Sequence, residues 1–132
     1  MKKLRGYIFS RSFMGERAPQ HVQNIVLRNY CEKNNHFFLL SSVEYKMSNS
    51  FFMLELVIKE LKRLDGILAY SIFQLPENND WRKKILRKII KKGKEIHFAV
   101  EDFSVKKEKD IQKLQEIWLI KKTLQFCPQK IN

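Results

Sequence analysis

Anion binding is the chemistry that the segment between residues 10 and 23 favours most. Arg11 and Arg17 offer bidentate donors for a phosphate or carboxylate group. Pro19 suits the first turn of a helix, and the free N–H groups at a helix amino terminus attract anions. Gly15 is the only glycine here, so neither a P-loop nor a dinucleotide-binding motif is present. A solvated structural loop is the alternative. Further candidate ligand-binding residues in this segment are Glu16, Gln20, His21 and Gln23.

Three side chains are candidates for catalysis. Ser10 is a candidate nucleophile, and His21 is the candidate base nearest to it in sequence. Glu44 and Glu101 each follow a predicted strand, where a carboxylate can act as general acid or base. We favour the simpler interpretation that these carboxylates pair with arginines. Whether the protein is an enzyme stays open. The cysteines and histidines lack metal-ligand spacing, so we expect no metal ion and no cofactor.

Four apolar segments alternate with helical patterns and predict the elements that position these side chains. The predicted strands cover residues 5–10, 37–40, 67–71 and 95–100. Strands that alternate with helices predict an α/β three-layer sandwich with a central, mostly parallel, four-stranded sheet. In such sheets ligands bind at the carboxyl ends of the strands. The same rule adds Tyr45, Ser71 and Gln74 to the candidate ligand-binding residues.

Hydrophobic periodicity also predicts which faces are buried. The predicted inner face of the first helix consists of Val22, Ile25, Val26, Asn29 and Tyr30. The predicted inner stripe of the second helix consists of Leu54, Val57, Ile58, Leu61 and Leu64. Ser48 or Ser50 is expected to cap that helix. The continuous apolar run 37–40 predicts a strand that is buried on both faces. His97 lies in an apolar strand and is expected to be buried and hydrogen-bonded.

The whole chain, residues 1–132, is predicted to form one domain. Residues 105–127 are expected to form a C-terminal helix that packs on the domain or forms a homodimer. No apolar run is long enough to cross a bilayer, and the apolar segment after the basic N-terminus is too short for a signal peptide. We therefore expect a cytoplasmic protein without membrane insertion. Cys31 and Cys127 are expected to be reduced thiols.

The net charge of +12 favours an anionic partner. The segment 81–94 carries only basic charges and predicts a helix whose basic residues cover the outer face. We favour a solvated surface over nucleic-acid binding here. Trp81 is the only aromatic residue in the segment, and we assign it to the apolar stripe, which leaves no side chain to stack on bases.

The opening segment resembles a known family of enzymes. Gly6-Tyr7-Ile8-Phe9-Ser10-Arg11-Ser12 is similar to the Gly-Tyr-x-Arg-x-Ser motif of serine recombinase (resolvase) catalytic domains. The order of predicted elements is also similar, which implies a resolvase-like fold. Recombinase activity is not implied, because Phe9 stands where the family has its arginine and Arg11 where it has its serine. The third strand is followed by Phe73-Gln74-Leu75-Pro76-Glu77, which lacks the arginines that hold the scissile phosphate.

A second resemblance is closer. The segments RGYIFSRSFMGERAPQHVQN, DGILAYSIFQLPEN and GKEIHFAVED are similar to the sporadic carbohydrate cluster proteins, small bacterial proteins encoded among polysaccharide genes. The similarity covers about residues 5–120. It implies a role in making or modifying a cell-surface glycan, and it implies no particular reaction.

Together these observations predict a protein of bacterial cell-surface carbohydrate biosynthesis or modification. It is expected to bind an anionic sugar metabolite, a nucleotide-sugar or sugar phosphate, at the carboxyl ends of the strands. Arg11 and Arg17 would hold the anion, and Glu44 and Glu101 would bind hydroxyl groups or move protons. Two alternatives are a nucleic-acid-binding resolvase-like protein without recombinase activity and a scaffold for glycan enzymes.

Overall fold

The computed structural model describes residues 1–126, in which five strands and four α-helices are present. The strands are β1 (Lys3–Phe9), β2 (Phe37–Glu44), β3 (Gly66–Ala69), β4 (Glu95–Phe98) and β5 (Phe103–Val105). The helices are α1 (Gln20–Lys33), α2 (Phe52–Lys59), α3 (Asn79–Lys91) and α4 (Glu108–Phe126). Short 3-10 turns lie at Glu60–Arg63 and Ile72–Gln74. None of the helices in this range is long and apolar enough to span a membrane.

All five strands belong to one sheet in the order β2-β1-β3-β4-β5. The first four are parallel, and β5 runs antiparallel to β4. The prediction of a mostly parallel α/β sheet is confirmed, with one strand more than expected. Strand β5 was not predicted because it has only three residues and follows β4 after a tight turn. The strand order reverses between β1 and β3, which is where ligands bind in folds of this type.

Gly6 allows β1 and β2 to approach each other where their register shifts by one residue. A Cβ atom at this position would lie 2.2 Å from Ser41 Oγ and 3.0 Å from a ring carbon of Phe38. The Ser41 hydroxyl is held in place because it donates a hydrogen bond to Asn24 Oδ1 on α1 at 2.6 Å. A larger residue at position 6 therefore requires a shift of the strand or of its neighbours.

The two faces of the sheet are covered unequally. Helices α2, α3 and α4 cover one face and share the main hydrophobic core with it. The predicted stripe of α2 and the turn after it is buried there: Leu54, Val57, Ile58, Leu61 and Leu64. Helix α1 alone covers the other face, over a smaller core formed by Leu4, Ile8, Leu27, Cys31 and Leu68.

The predicted inner face of α1 is wrong by about one position. Gln23, Leu27 and Cys31 face the sheet, whereas Ile25 is 54% exposed and Asn29 is exposed as well. The other members of the predicted face, Val22, Val26 and Tyr30, are half-buried beside this stripe. Periodicity missed the stripe because it begins with a polar residue, Gln23, whose amide is bonded to the end of β1.

β2 is an edge strand, so the prediction that it is buried on both faces is wrong. Phe37 and Leu40 are 51% and 74% exposed. A continuous apolar run is typical of a central strand, but here only β1 lies beside it. Local composition cannot distinguish these two positions in a sheet.

Helix α4 packs on the rest of the protein through Ile111, Leu114 and Trp118, which are buried. Its outward side carries other apolar residues, namely Leu119, Ile120 and Leu124. Homodimer formation through that side stays a prediction.

Of the two cysteines, only Cys31 lies within the described residues. Cys31 is a free, buried thiol, and burial raises its pKa to about 11, so it stays protonated and packs as a small apolar residue. Cys127, which is the last residue of the predicted helix 105–127, lies outside the described residues.

Arg82 contradicts the prediction that the basic residues of segment 81–94 cover the outer face of the helix. It is buried, and its guanidinium group donates to the carbonyl oxygens of Pro76 and Glu77 at 2.8 and 3.1 Å. Its Nε donates to Gln115 Oε1 at 2.6 Å, and its Cζ lies 4.2 Å from the centre of the Trp118 ring. Burial lowers the pKa of Arg82 to about 10. This arginine ties the segment before α3 to α4.

The other basic residues of α3 agree with the prediction of a solvated face. Lys83, Lys84, Arg87, Lys88 and Lys91 are all exposed. Trp81 departs from the predicted apolar stripe, since it is 36% exposed and contacts Phe51 edge-on at 5.0 Å.

His97 is buried and hydrogen-bonded, as predicted. Its Nδ1 lies 2.7 Å from the Tyr30 hydroxyl, and its Nε2 lies 2.7 Å from a carboxylate oxygen of Glu95. Burial lowers the pKa of His97, which outweighs the opposite effect of Glu95. Burial also lowers the pKa of His36, whose ring centre lies 5.2 Å from that of His97. Both imidazoles are therefore neutral at pH 7.

Candidate anion-binding site

A tight hairpin connects β1 to α1 and stands over the carboxyl end of the sheet. The Phe13 N–H donates to the Glu16 carbonyl at 2.8 Å, and the Glu16 N–H donates to the Phe13 carbonyl at 2.9 Å. Met14 and Gly15 between them have φ values of +48° and +77°, the left-handed pair that a type I′ turn requires. The buried Phe13 ring contacts Phe9 edge-on at 5.9 Å, which anchors the hairpin to β1.

A hollow of about 220 Å³ opens beside this hairpin, at the end of β1. We call it the anion hollow; its lining residues are Phe9, Ser10, Arg11, Arg17, Ala18, Pro19, Gln20 and Lys46. Arg17 and Lys46 are exposed, and among residues 1–126 neither forms an ion pair. Two unpaired cations on different loops therefore border the same small space.

The amino terminus of α1 adds to this positive potential. The helix begins at Gln20 after Pro19, without a side-chain cap and without an acidic residue in its first turn. Its first N–H groups consequently lack intrahelical partners, and they carry the positive end of the helix dipole. Pro19 and Gln20 also line the hollow. A phosphate group there would meet backbone donors and two cations together.

Arg11 is bonded within the protein more firmly than expected. Its two terminal nitrogens donate to the backbone carbonyls of Tyr45 and of Ser50, the latter at 2.9 Å. Its Cζ lies 4.2 Å from the centre of the Phe9 ring and 5.2 Å from that of Phe51. The guanidinium group thus fixes the loop after β2 over the end of β1. Arg11 therefore contributes a positive charge at a fixed position. Because its terminal nitrogens are already bonded, other cations would have to enclose a bound anion.

Glu44 holds the beginning of α2. Its carboxylate accepts hydrogen bonds from the N–H groups of Met53 and Leu54 at 3.1 and 3.2 Å. It also accepts from the hydroxyl groups of Tyr7 at 2.9 Å and Ser50 at 3.4 Å. Burial and the nearby Glu44 charge raise the pKa of Tyr7 well above its usual value, so the phenol stays a donor. The prediction that Glu44 pairs with an arginine is therefore wrong, because hydroxyl and backbone N–H groups occupy its carboxylate.

The prediction that Ser48 or Ser50 caps α2 is wrong, because Glu44 accepts the hydrogen bonds from the start of this helix. The helix has Phe51 at its N-cap position and no side-chain hydrogen bond from that residue. Glu44, at the end of β2, supplies the missing acceptor from a distance in sequence. Local sequence does not reveal this cap, since Ser50 contributes to it only by donating a hydrogen bond to Glu44.

Gln23 and Gln74 join α1, β1 and the segment after β3 beneath the site. Gln23 Nε2 donates to the carbonyls of Phe9 and Ala18 at 2.9 and 2.8 Å. Its Oε1 accepts from the Phe9 N–H at 3.1 Å and from Gln74 Nε2 at 2.8 Å. Gln74 Oε1 accepts in turn from the Tyr70 N–H at 3.2 Å. Both amides are fully buried, so they support the floor of the site.

A second hollow of about 170 Å³ adjoins the first and shares Arg17 and Ala18 with it. Glu101 lines this space and accepts hydrogen bonds from Ser71 Oγ at 2.7 Å and from the Ile72 N–H at 2.8 Å. The Glu101 side chain is only half-buried. A carboxylate has about four acceptor positions, so Glu101 retains capacity for a ligand hydroxyl group.

The structure divides the predicted site residues into four groups. Ser10, Arg11, Arg17 and Gln20 line the anion hollow. Glu16, Arg17, Ser71 and Glu101 line the second hollow. Gln23, Glu44 and Gln74 are buried beneath them. His21 and Tyr45 are exposed and belong to neither lining. The Ser10 hydroxyl donates to the Glu44 carbonyl at 2.9 Å. Catalysis by Ser10, Glu44 or Glu101 stays a prediction.

Lys46 is a member of the anion hollow that the sequence analysis missed. It follows the last residue of β2 by two positions, next to Tyr45, which the strand-end rule did select. Extending that rule by one residue would have found it.

Comparisons with known proteins identify the fold but do not indicate a function. No family model matches this sequence, and no curated protein is similar to it. The N-terminal catalytic domain of TP901-1 integrase has a TM-score of 0.65 at 14% sequence identity, covering 92% of this chain and 99% of that chain. The fold is that of a resolvase catalytic domain. A resolvase family site-specific recombinase from Streptococcus pneumoniae has a TM-score of 0.64 at 11% identity, covering 92% and 89%.

At these identities the likeness shows the fold alone. The predicted resolvase-like fold is confirmed, while the resemblance to sporadic carbohydrate cluster proteins gains no support from the comparisons. Phe9, which stands where the resolvase motif has its arginine, is buried against Tyr7 and Phe13. Among residues 1–126, no group of three or more histidine, cysteine or acidic residues is arranged to hold a metal ion.

Proposed function

We propose that this protein binds a phosphate-bearing sugar metabolite, a sugar phosphate or nucleotide-sugar, in the anion hollow. The observation that carries the proposal is the convergence of Arg17, Lys46 and the uncapped amino terminus of α1 on one small space. Arg11 adds a fixed positive charge to the same lining. The net charge of +12 also raises the concentration of anions near the protein.

The sugar half of the proposal has two supports. The second hollow begins where the anion hollow ends, at Arg17, and Glu101 there can accept hydrogen bonds from sugar hydroxyl groups. The context of glycan biosynthesis or modification comes from the resemblance to sporadic carbohydrate cluster proteins predicted from the sequence, which the comparisons do not support. In this arrangement Arg17 and Lys46 bind the phosphate, and Glu101 orients the sugar.

Titration calorimetry with glucose 1-phosphate and with pyrophosphate tests the proposal. The variants Arg17→Gln and Lys46→Gln each remove one cation from the hollow. We expect each to weaken binding by about tenfold or more, because a charge-assisted hydrogen bond contributes about 1.5–3 kcal/mol. Lys33→Gln is the matched control, since it removes the same charge at the other end of α1, roughly 20 Å away.

Two outcomes would contradict the proposal. One is the absence of binding and of thermal stabilisation by either phosphate compound at millimolar concentration. The other is an equal loss of affinity in Arg17→Gln and Lys33→Gln, which would mean that only the overall charge attracts the ligand.

Nucleic-acid binding is a second candidate, favoured by the outer face of α3. Lys84 and Lys91 lie two turns apart on that face, exposed and without an ion pair among residues 1–126. Arg87 and Lys88, by contrast, pair with Glu108 and Glu55. Duplex DNA should then bind with strong salt dependence, and reversing Lys84 and Lys91 to glutamate should abolish binding. Salt-independent or absent binding would reject this candidate.

A further inference from the structure

A third hollow, larger than the anion hollow, adjoins it. It measures about 300 Å³, and we call it the aromatic hollow because four phenylalanines line it. These are Phe9, Phe13, Phe51 and Phe73. Phe9, Arg11 and Lys46 line both this hollow and the anion hollow, so the two spaces meet at the two cations. A volume of about 300 Å³ lies at the lower end of the range for small-molecule pockets.

Arg11 lines both hollows with a guanidinium group that is held in place. Its guanidinium plane is held by the carbonyls of Tyr45 and Ser50 and packs on the rings of Phe9 and Phe51. A guanidinium group held in this way loses little entropy when a planar ligand stacks against it. Phe73, which is half-buried, also lines the hollow and offers an apolar surface.

The rim of the aromatic hollow is polar. Ser12, Ser48 and Asn49 line it together with Glu77, and all four are exposed. Asn49 has a φ of +63°, which places it at the tip of a turn in the loop after β2. Hydroxyl, amide and carboxylate groups therefore provide both donors and acceptors beside the phenylalanine rings. A flat heteroaromatic ring with hydrogen-bonding edges matches this combination better than a saturated sugar does.

We infer that the ligand of this site is a nucleotide whose base enters the aromatic hollow while its diphosphate lies in the anion hollow. The inference rests on the proposed function and narrows it from phosphate-bearing sugars in general to nucleoside diphosphates and their sugar conjugates. Arg11 and Lys46 lie at the junction, where the first phosphate follows the ribose. Arg17 and the start of α1 hold the second phosphate, and a sugar attached to it reaches Glu101.

The test compares the affinity of the full chain for pyrophosphate, glucose 1-phosphate and a set of nucleoside diphosphates (uridine, thymidine, guanosine and adenosine) by titration calorimetry. We expect at least one nucleoside diphosphate to bind tenfold or more tightly than pyrophosphate, because base stacking adds to phosphate binding. Asn49→Gly should reduce that advantage severalfold and leave pyrophosphate affinity unchanged.

Asn35→Gly is the matched control for this variant. Asn35 also has a positive φ, +57°, but it lies in the turn between α1 and β2. Both glycine variants remove a side-chain amide at a left-handed position, so backbone effects are the same. Equal behaviour of the two variants would overturn the placement of the base.

The outcomes separate this inference from the proposed function. If pyrophosphate and glucose 1-phosphate bind but no nucleoside diphosphate binds more tightly, the base-binding role of the aromatic hollow is wrong and the anion hollow stands. If none of the compounds binds, the proposed function fails and this inference fails with it.

Discussion

Replacing Gln23 by methionine tests whether the buried glutamine pair holds the strand ends together. Methionine has a similar length, so the packing change is small and the loss of hydrogen bonds dominates. The substitution removes the partners of the Phe9 N–H, the Phe9 and Ala18 carbonyls and Gln74 Nε2. Each buried polar group without a partner costs about 1–3 kcal/mol. Because Ala18 is partly exposed and can bind water, we count two to three such groups and expect a loss of about 3–5 kcal/mol.

Urea unfolding followed by circular dichroism measures this loss. Gln20→Met is the matched control, because Gln20 lies three residues earlier on the same helix and is exposed. We expect that control to change the free energy of unfolding by no more than about 0.5 kcal/mol. The slope of the transition should stay constant in both variants, since neither changes the surface that unfolding exposes.

A double-mutant cycle makes the test specific to the pair. Gln74→Met alone leaves Gln23 Oε1 with one donor fewer, and Gln23→Met alone leaves Gln74 Nε2 without an acceptor. In the double variant neither amide remains, so its loss should be smaller than the sum of the single losses by about 1 kcal/mol. A loss below about 1 kcal/mol for Gln23→Met, or strict additivity in the cycle, would refute the reasoning.

Three further predictions concern the scaffold. Arg82→Met removes a donor from the buried Pro76 carbonyl and from the partly buried Glu77 carbonyl and should cost about 2–4 kcal/mol in urea unfolding, whereas exposed Lys84→Met should cost less than about 0.5 kcal/mol. Gly6→Ala forces a Cβ into contact with the neighbouring strand and should cost about 1–3 kcal/mol by the same measurement. His36 and His97 have lowered pKa values in the folded protein, so their stabilising contribution is present above about pH 6.5 and is lost as the pH falls below it. The melting temperature should therefore fall between pH 7 and pH 5, and His97→Gln should reduce that fall; a flat profile in the parent protein would contradict this assignment.

The fold was predictable where local pattern and tertiary burial agree. The stripe of α2 is apolar at every buried position, so helical periodicity identified it completely. The stripe of α1 begins with Gln23, which is buried because the strand end needs its amide, and no local rule selects a glutamine for that place. The apolar run of β2 looked central, but its position at the edge depends on which strands pair with it. These errors come from interactions between elements.

The candidate site was predictable as a region and not as a set of contacts. Arg17 and Gln20, predicted from the loop and helix start, line one hollow together with Arg11, which lies at a strand end as the strand-end rule requires. The strand-end rule could not distinguish Glu101, which lines a hollow, from Glu44, which is buried and already hydrogen-bonded. The donors of Glu44 come from positions 7, 50, 53 and 54, and only the folded chain brings them together. Whether a polar side chain is free or already bonded is therefore a tertiary property.

That distinction explains how a resolvase-like sheet can carry a different site. Glu44, the last residue of β2, accepts hydrogen bonds from N–H groups at the start of α2, and Gln74, in the turn after β3, accepts from the Tyr70 N–H, so both side chains serve backbone groups that otherwise lack partners. Arg17 and Lys46, on the loops after β1 and β2, are exposed, line the anion hollow and form no ion pair among residues 1–126. Phe9, where the resolvase motif has an arginine, instead forms an apolar wall beside them. An anion site next to an apolar wall can bind a phosphate and the aromatic group attached to it, which is the combination that a nucleotide presents.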